Sequence, residues 1–335
     1  MRKKKKKLRL KSSVKLFLVL VVFLFIGCNI AKVTYDDYLY KKSSDYAILQ
    51  LGYSVDDLKL IDSKLNDEQK WHIAKDIGNN EFIMNFIKCD YFIAKNLDAY
   101  LKQTVTKEED FWHYKKPDYY KYDELVAKVN TKTDNEYYTE TVETNMDLGS
   151  AILVNKYYYL PEEYEPDDLV DIEWKYRFGN KNDHIKVRQE TYEHFLDMWN
   201  AANEAGYYLM AYSGYRSTEH QKRIYNEYLN KNGVSYADSI AARPGHSEHS
   251  TGLALDIYSK TCSQASLFKD TKAYQWLLNN SYKYGFILRY PEGKSKLTGY
   301  NFESWHYRYV GVELAEKVYN SGLTYDEYYA FYLEK

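Results

Sequence analysis

The sequence predicts an α+β fold, in which helices and strands are mixed without the regular strand–helix–strand alternation of parallel-sheet proteins. Residues 253–257 alternate aliphatic side chains with small or polar ones, which is the period of a β-strand. The flanking segments 184–205 and 272–284 are predicted to be helices, and each is followed by a glycine that suits a C-cap. The length of 335 residues allows two domains, and a hydrophobic content of 45% provides a sizeable core.

The N-terminus predicts export. Residues 1–15 carry nine Lys or Arg and no acid, and an unbroken apolar run of signal-peptide length follows. That run is shorter than the roughly 20 residues of a spanning helix. Gly27 and Cys28 then resemble a bacterial lipoprotein processing site, although Phe25 stands where Leu is usual. We expect residues 1–27 to be a signal peptide or lipoprotein signal, with lipid on Cys28. An uncleaved anchor and ordinary secretion are the alternatives, and all three place the body of the protein outside the membrane.

Charge argues against a nucleic-acid partner. The formal net charge of the whole chain is −2. Without the nine basic residues before Cys28, the chain has 37 basic and 48 acidic side chains, a net charge of −11. The exported part is therefore acidic and has no basic stretch that would favour nucleic acid. The basic start instead marks the cytoplasmic side of a membrane.

Two further regions precede the last domain. Residues 28–110 predict a mostly helical region, because residues 54–57 and 66–69 have the form of capping boxes before apolar residues at helical spacing. This region is either a spacer or binding module, or a helical extension packed on the domain that follows. Residues 111–145 are rich in Tyr, Lys and Thr without a clear helical period, and they predict a connecting segment. The last domain is expected to cover residues 146–335.

His249 and Asp256 predict half of a metal site. Asp256 lies on the strand at 253–257 and points away from its aliphatic face, and His249 lies in the turn before it. Gly252 lets that turn adopt an angle that a side chain resists. An imidazole and a carboxylate that converge in this way have the chemistry of half a zinc site. Considered alone, the segment is equally compatible with a surface histidine followed by an aspartate at a strand end.

Glu303 and His306 predict the other half. A catalytic zinc needs a third protein ligand and an open position for water, and His306 can be that ligand. The water also needs a general base that is not a ligand, for which the Glu303 carboxylate is suited. The alternative is an exposed Glu and His on an edge strand, but two half-sites of complementary chemistry argue against it.

Four motifs carry a family resemblance. They are SGYRS at 213–217, PGHSEHSTGLALDI at 244–257, LRYP at 288–291 and ESWHYRYVG at 303–311. Together they resemble the VanY-type zinc D,D-carboxypeptidases, within the group that shares the metal site of lysostaphin and the D-Ala-D-Ala peptidases. The resemblance extends over roughly residues 153–322. It implies a VanY-like domain with a small antiparallel sheet that carries one zinc ion between flanking helices.

The same resemblance implies the roles of individual residues. The expected zinc ligands and catalytic base are His249, Asp256, His306 and Glu303. Arg216 and Gln221 match positions that contact the substrate near the scissile bond, and Arg216 would also stabilise the oxyanion. Ser247 matches a position that holds the terminal carboxylate. Arg216 follows a predicted strand, where its guanidinium can bind a carboxylate or carbonyl through two parallel hydrogen bonds. Pairing with Glu219 is the alternative for Arg216.

The implied activity is removal of the C-terminal D-alanine from peptidoglycan stem peptides by zinc-activated water. The implied partners are the stem peptide and, through the N-terminus, the membrane, with the domain facing the cell wall. An L,D-carboxypeptidase that acts on tetrapeptide stems would use the same metal and base. A peptidoglycan-binding lipoprotein without catalysis is a further alternative, which Glu303 disfavours because binding alone needs no base. No organic cofactor is expected.

Overall fold

A computed structural model describes residues 12–105 and 121–334. Contacts divide the chain into two compact units, Met1–Tyr120 and Lys121–Lys335, and each is described by itself. The basic residues at positions 1–11 of the predicted signal lie outside the described residues. Within the two described ranges, no helix combines the length and the apolar character needed to cross a membrane.

The first unit is helical, as predicted. Its α-helices are α1 (Ser12–Tyr40), α2 (Ser44–Gln50), α3 (Val55–Lys64), α4 (Asp67–His72), α5 (Ile83–Ile87) and α6 (Leu97–Val105). Both predicted capping boxes are present, at Ser54 before α3 and at Asn66 before α4. Ile48, Ile61 and Ile73 are fully buried in a core of their own. Cys28 lies within α1 and is exposed.

The second unit mixes helices and strands. Its α-helices are α7 (Tyr122–Asn130), α8 (Gln189–Glu204), α9 (Thr218–Asn232), α10 (Val234–Ile240), α11 (Ala265–Phe268), α12 (Lys272–Asn280), α13 (Ser295–Thr298), α14 (Val312–Ser321) and α15 (Tyr325–Tyr328). Its strands are β1 (Val142–Glu143), β2 (Tyr158–Tyr159), β3 (Leu169–Asp171), β4 (Lys186–Arg188), β5 (Leu209–Ser213), β6 (Ala254–Ser259), β7 (Phe286–Leu288) and β8 (His306–Tyr309).

The centre of this unit is a four-stranded antiparallel sheet with strand order β5–β6–β8–β7. It confirms the predicted α+β class and the small antiparallel sheet. The register places Asp256 of β6 directly opposite His306 of β8 on one side. On the other side, Ser213 at the end of β5 pairs with Asp256, after an irregularity in the β5–β6 ladder. These positions form a row across one end of the sheet.

The alternation along β6 is also as predicted. Leu253, Leu255 and Ile257 are buried in the main core, where they lie with Phe195 and Met198 of α8. The neighbouring glycine before the strand, Gly252, adopts a φ of +69°. A Cβ atom there would lie 2.8 Å from the side chain of Arg188, so the turn into β6 requires glycine for both conformation and space.

Two local expectations were wrong. The helix expected over residues 184–205 begins at Gln189, because Lys186–Arg188 instead pair with Leu169–Asp171 as an antiparallel hairpin and bury Val187. The segment 111–145 contains a helix, α7, which buries Leu125 and its neighbours despite the weak pattern. Contacts group residues 121–145 with the second unit. Residues 111–120 lie outside the described part of the chain, and the domain limits at 111 and 146 stay predictions.

Candidate active site

The three predicted metal ligands meet at the end of the central sheet. His249 lies in a 3₁₀ turn (Glu248–Thr251) that leads into β6, Asp256 lies on β6, and His306 begins β8. All three side chains are buried, and one potential ligand atom from each lies within 4.8 Å of the others. The β6–β8 register and the turn at Gly252 therefore bring together residues that are 57 positions apart in the chain.

Hydrogen bonds orient both imidazoles. The Nδ1–H of His249 donates to the carbonyl oxygen of Gly214 at 2.7 Å, which leaves Nε2 facing Asp256. The Nε2–H of His306 donates to Glu248 Oε2 at 3.3 Å, which leaves Nδ1 facing Asp256. Metal-binding histidines characteristically donate their other ring N–H to a carbonyl or carboxylate in this way. The two rings can thus present one nitrogen each to a shared ion.

The carboxylate between these rings fits a cation. Asp256 Oδ1 lies 3.5 Å from His249 Nε2 and 3.3 Å from His306 Nδ1. It is buried, yet within the described part of the chain it has no hydrogen-bond partner. A buried carboxylate oxygen without a hydrogen bond is costly unless a charge compensates it. Two imidazole nitrogens and one carboxylate are a donor set that zinc prefers.

The pKa values of the ligands indicate the same preference. Burial, followed by the nearby Arg216, lowers the pKa of His249 to about 4, so this ring is neutral and able to bind a metal. Burial acts to raise the pKa of Asp256, but the two histidines outweigh it and hold that pKa below its usual range. Burial acts to lower the pKa of His306, but the adjacent carboxylates of Asp256 and Glu248 raise it to about 9. The site therefore favours positive charge at its centre.

Glu303 lies beside the ligands without belonging to their group. Its Oε2 is 3.6 Å from Nδ1 of His306, and its side chain is 17% exposed. Burial raises the pKa of Glu303 to about 7. A carboxylate with a pKa near the working pH is well matched to accept and return a proton.

The expected substrate residues line one cleft of about 610 Å³ with the ligands. Arg216 Nη2 donates to His249 Nε2 at 3.0 Å and lies 3.4 Å from Asp256 Oδ2. Within the described residues, no hydrogen bond or ion pair joins Arg216 to Glu219, the alternative partner. Gln221 accepts from Arg216 Nη1 at 3.3 Å and donates to Ala242 at 2.9 Å. Both ends of this amide are thus engaged by protein, and a direct substrate contact for Gln221 stays a prediction.

Ser247 is buried and lines the same cleft. Its role at the substrate carboxylate also stays a prediction.

Sequence reasoning missed the charged residues behind His306, which are Glu248, Arg289, Arg308 and Asp326. The first three lie inside the motifs SEHST, LRYP and HYRYVG, so the available signal was a charged residue within each motif. Asp326 lies in a helix near the C-terminus, and no pattern connects it with the site.

The arrangement fits a metal-dependent hydrolase: three buried side chains that could hold a metal ion, an adjacent carboxylate of raised pKa, and an arginine in the same cleft. A family model described as D-alanyl-D-alanine carboxypeptidase, VanY, matches residues 184–312, which include every predicted metal, base and substrate residue. The D-alanyl-D-alanine carboxypeptidase of Enterococcus faecalis (strain ATCC 700802 / V583) is 32% identical over 256 residues, 74% of this chain and 87% of that protein.

Two other comparisons cover similar parts of the chain. YodJ of Bacillus subtilis (strain 168) is 42% identical over 179 residues, 53% of this chain and 66% of that protein. The structure of the LdcB LD-carboxypeptidase is similar with a TM-score of 0.54 and 38% identity, over 58% of this chain and 91% of that one.

The chain belongs to the VanY family of D-alanyl-D-alanine carboxypeptidases. It is a carboxypeptidase whose cofactor is zinc.

Proposed function

We propose that this chain releases the terminal D-alanine of peptidoglycan stem peptides that end in D-Ala-D-Ala. In this proposal the zinc ligands are His249, Asp256 and His306, and Glu303 is the general base. The observation that carries it is the position of Glu303, with a raised pKa and 3.6 Å from the ligand nitrogen of His306, yet outside the ligand group. A site that only bound metal or wall peptide would have no use for such a base.

The proton route follows from this geometry. His249, Asp256 and His306 would hold a zinc ion, which as a Lewis acid would lower the pKa of water toward about 7 and polarise the scissile carbonyl. The Glu303 carboxylate accepts the water proton at Oε2. The water oxygen bonds to the scissile carbonyl carbon, and as the C–N bond then breaks Glu303 returns the proton to the nitrogen of D-alanine, which departs as a neutral amine. The pKa of about 7 lets Glu303 perform both transfers near neutral pH.

The role of Arg216 depends on whether a metal ion is bound to the ligands. Its Nη2 donates to the lone pair of His249 Nε2, the same lone pair that a metal would take. Metal binding therefore frees this N–H to donate to the carbonyl oxygen of the substrate, where negative charge develops. Gln221 supports the guanidinium through Nη1. Ser247, in the same cleft, would donate to the free carboxylate and so restrict cleavage to the chain end.

One observation supports a second candidate, an L,D-carboxypeptidase. The structure of the LdcB LD-carboxypeptidase resembles this chain at 38% identity. The metal, base and proton route would be unchanged, and only the fit of the residue before the scissile bond would differ.

The test uses zinc-loaded protein and two synthetic stem peptides, one ending in D-Ala-D-Ala and one in L-Lys-D-Ala. The proposal expects chelator-sensitive release of D-alanine from the first peptide, with a higher kcat/KM than on the second. Release from the L-Lys-D-Ala peptide alone would replace the proposal with the L,D activity. No release from either would contradict both.

The place of action follows from the substrate. A carboxypeptidase for stem peptides works outside the cytoplasm, where the cell wall lies. Attachment to the membrane through lipid on Cys28 is supported by the charged and apolar residues before it and by its exposure on α1. We expect Cys28→Ser to move the protein from the membrane fraction to the medium or to leave it as an unprocessed precursor. Unchanged processing and fractionation of this variant would favour an uncleaved anchor.

A further inference from the structure

A fully buried carboxylate stands behind the metal site. Glu248, the residue next to the ligand His249, directs its side chain to His306 and Arg308 of β8. Its Oε2 accepts from His306 Nε2 at 3.3 Å. Its Oε1 accepts from Arg289 Nε at 2.8 Å and from Arg308 Nη1 at 2.9 Å. The Glu248 side chain is 0% exposed, as are those of both arginines. One residue therefore joins the turn that carries one ligand to the strand that carries another.

The network continues to the end of the chain. Arg289 makes a two-pronged pair with Asp326 of α15, in which Nη2 donates to Oδ1 at 3.0 Å. Asp326 also accepts from Asn155 at 2.8 Å. Arg308 Nη2 donates to the carbonyl oxygens of Ser150 and Ile152 at 3.0 and 2.8 Å. Asn155 and Asp326 both lie outside residues 184–312, the part that matches the family model.

The arrangement balances charge and restricts motion. Two carboxylates face two guanidiniums, and each carboxylate has at least two donors, so Glu248 has little freedom to rotate. Buried ion pairs of this kind are weak evidence for stability, because packed hydrophobic residues of similar volume often serve as well. An orienting role fits better. Oε2 of Glu248 accepts no hydrogen bond from either arginine, and it accepts one from the N–H of a metal ligand instead. Outer partners of ligating histidines fix the orientation of the ring and the nitrogen that faces the metal.

We propose that Glu248 is a positioning residue, which holds His306 with Nδ1 toward the metal, and that Arg289, Arg308 and Asp326 hold Glu248 in place. The C-terminal helix α15 is thereby part of the support of the metal site. The inference rests on the proposed function in one respect, that His306 is a zinc ligand. It adds that zinc affinity depends on a carboxylate that is not one of the three ligands.

The test variant is Glu248→Asp. It keeps the negative charge opposite the two arginines but shortens the side chain by one methylene, which withdraws the carboxylate from His306. The matched control is Glu327→Asp, the same change at another buried glutamate, which lies in α15. Glu327 accepts from Thr324 in the capping box of α15 and contacts neither a ligand nor Glu248. Both variants lose buried hydrogen bonds, but only the first affects a ligand.

Three measurements separate orientation from stability. They are zinc affinity by competition with a chromogenic chelator, the visible absorption spectrum of the cobalt-substituted protein, and the Tm of the metal-free protein. In Glu248→Asp we expect zinc affinity to fall roughly 10- to 100-fold and the cobalt bands to shift. In Glu327→Asp we expect a lower Tm with the zinc affinity and cobalt spectrum of the unaltered protein.

The inference is overturned if folded Glu248→Asp binds zinc as tightly as the unaltered protein and has the same cobalt spectrum. If Glu248→Asp does not fold, Asp326→Asn replaces it, since that change releases Arg289 and so loosens its hold on Glu248, while Glu248 and His306 themselves are unaltered. Weaker zinc binding in Asp326→Asn supports the inference, and unchanged binding contradicts it. Failure of the proposed function would look different: the unaltered protein itself would bind no zinc or would release no D-alanine.

Discussion

Replacing Glu303 with glutamine is expected to lower kcat on a D-Ala-D-Ala peptide by about 10²- to 10⁴-fold, the range associated with general acid–base catalysis. The amide cannot take the water proton, although it has almost the same shape as the carboxylate. Zinc should stay bound at one equivalent, because Glu303 is outside the group formed by His249, Asp256 and His306. Turnover by colorimetric D-alanine release and zinc content by elemental analysis check this pair of outcomes.

The matched control is Glu316→Gln, on the exposed face of α14. It should leave both turnover and zinc content at their original values. A Glu303→Gln variant that kept the original rate would show that another group is the base. A variant that lost its zinc would instead show that Glu303 is a ligand.

Replacing Asp256 with asparagine should weaken zinc binding by more than about 100-fold, since the loss of even an outer partner of a ligand costs 10- to 100-fold. The change removes the only carboxylate of the ligand group, and with it the charge that compensates the metal. Activity at low zinc should fall in parallel. Chelator competition on the purified variant measures the affinity directly.

Asp197→Asn, on the exposed side of α8, is the corresponding control and should bind zinc normally. Tight zinc binding by Asp256→Asn would exclude Asp256 from the ligands. Binding that is weakened while the Tm of the metal-free protein is retained is the expected pattern, because the asparagine fills the same space between the two histidines.

The predictability of the site differed from residue to residue. A strand period and a glycine turn suggested that His249 and Asp256 converge, although that segment alone was equally compatible with a surface histidine before a strand-end aspartate. The pairing of Asp256 with His306 depends on the β6–β8 register, which no local pattern specifies. The resemblance to a known family supplied what the periodicity could not.

Other features depend on contacts between distant residues. The start of α8 was misplaced because Val187 is drawn into the core by pairing with β3, and such tertiary burial overrides a weak local helical pattern. The link from His306 through Glu248 and Arg289 to Asp326 joins residues from four separate segments. Side-chain contacts of this kind follow from the packed structure, and sequence spacing carries no signal for them.

The central claim is tested most directly by titrating zinc into metal-free protein while D-alanine release from the D-Ala-D-Ala stem peptide is measured. The account predicts no release without metal, and recovery that rises linearly and reaches its plateau at one zinc per chain. Release that persists in the fully metal-free protein, or a zinc-loaded protein that releases no D-alanine from this or the L-Lys-D-Ala peptide, would contradict the account.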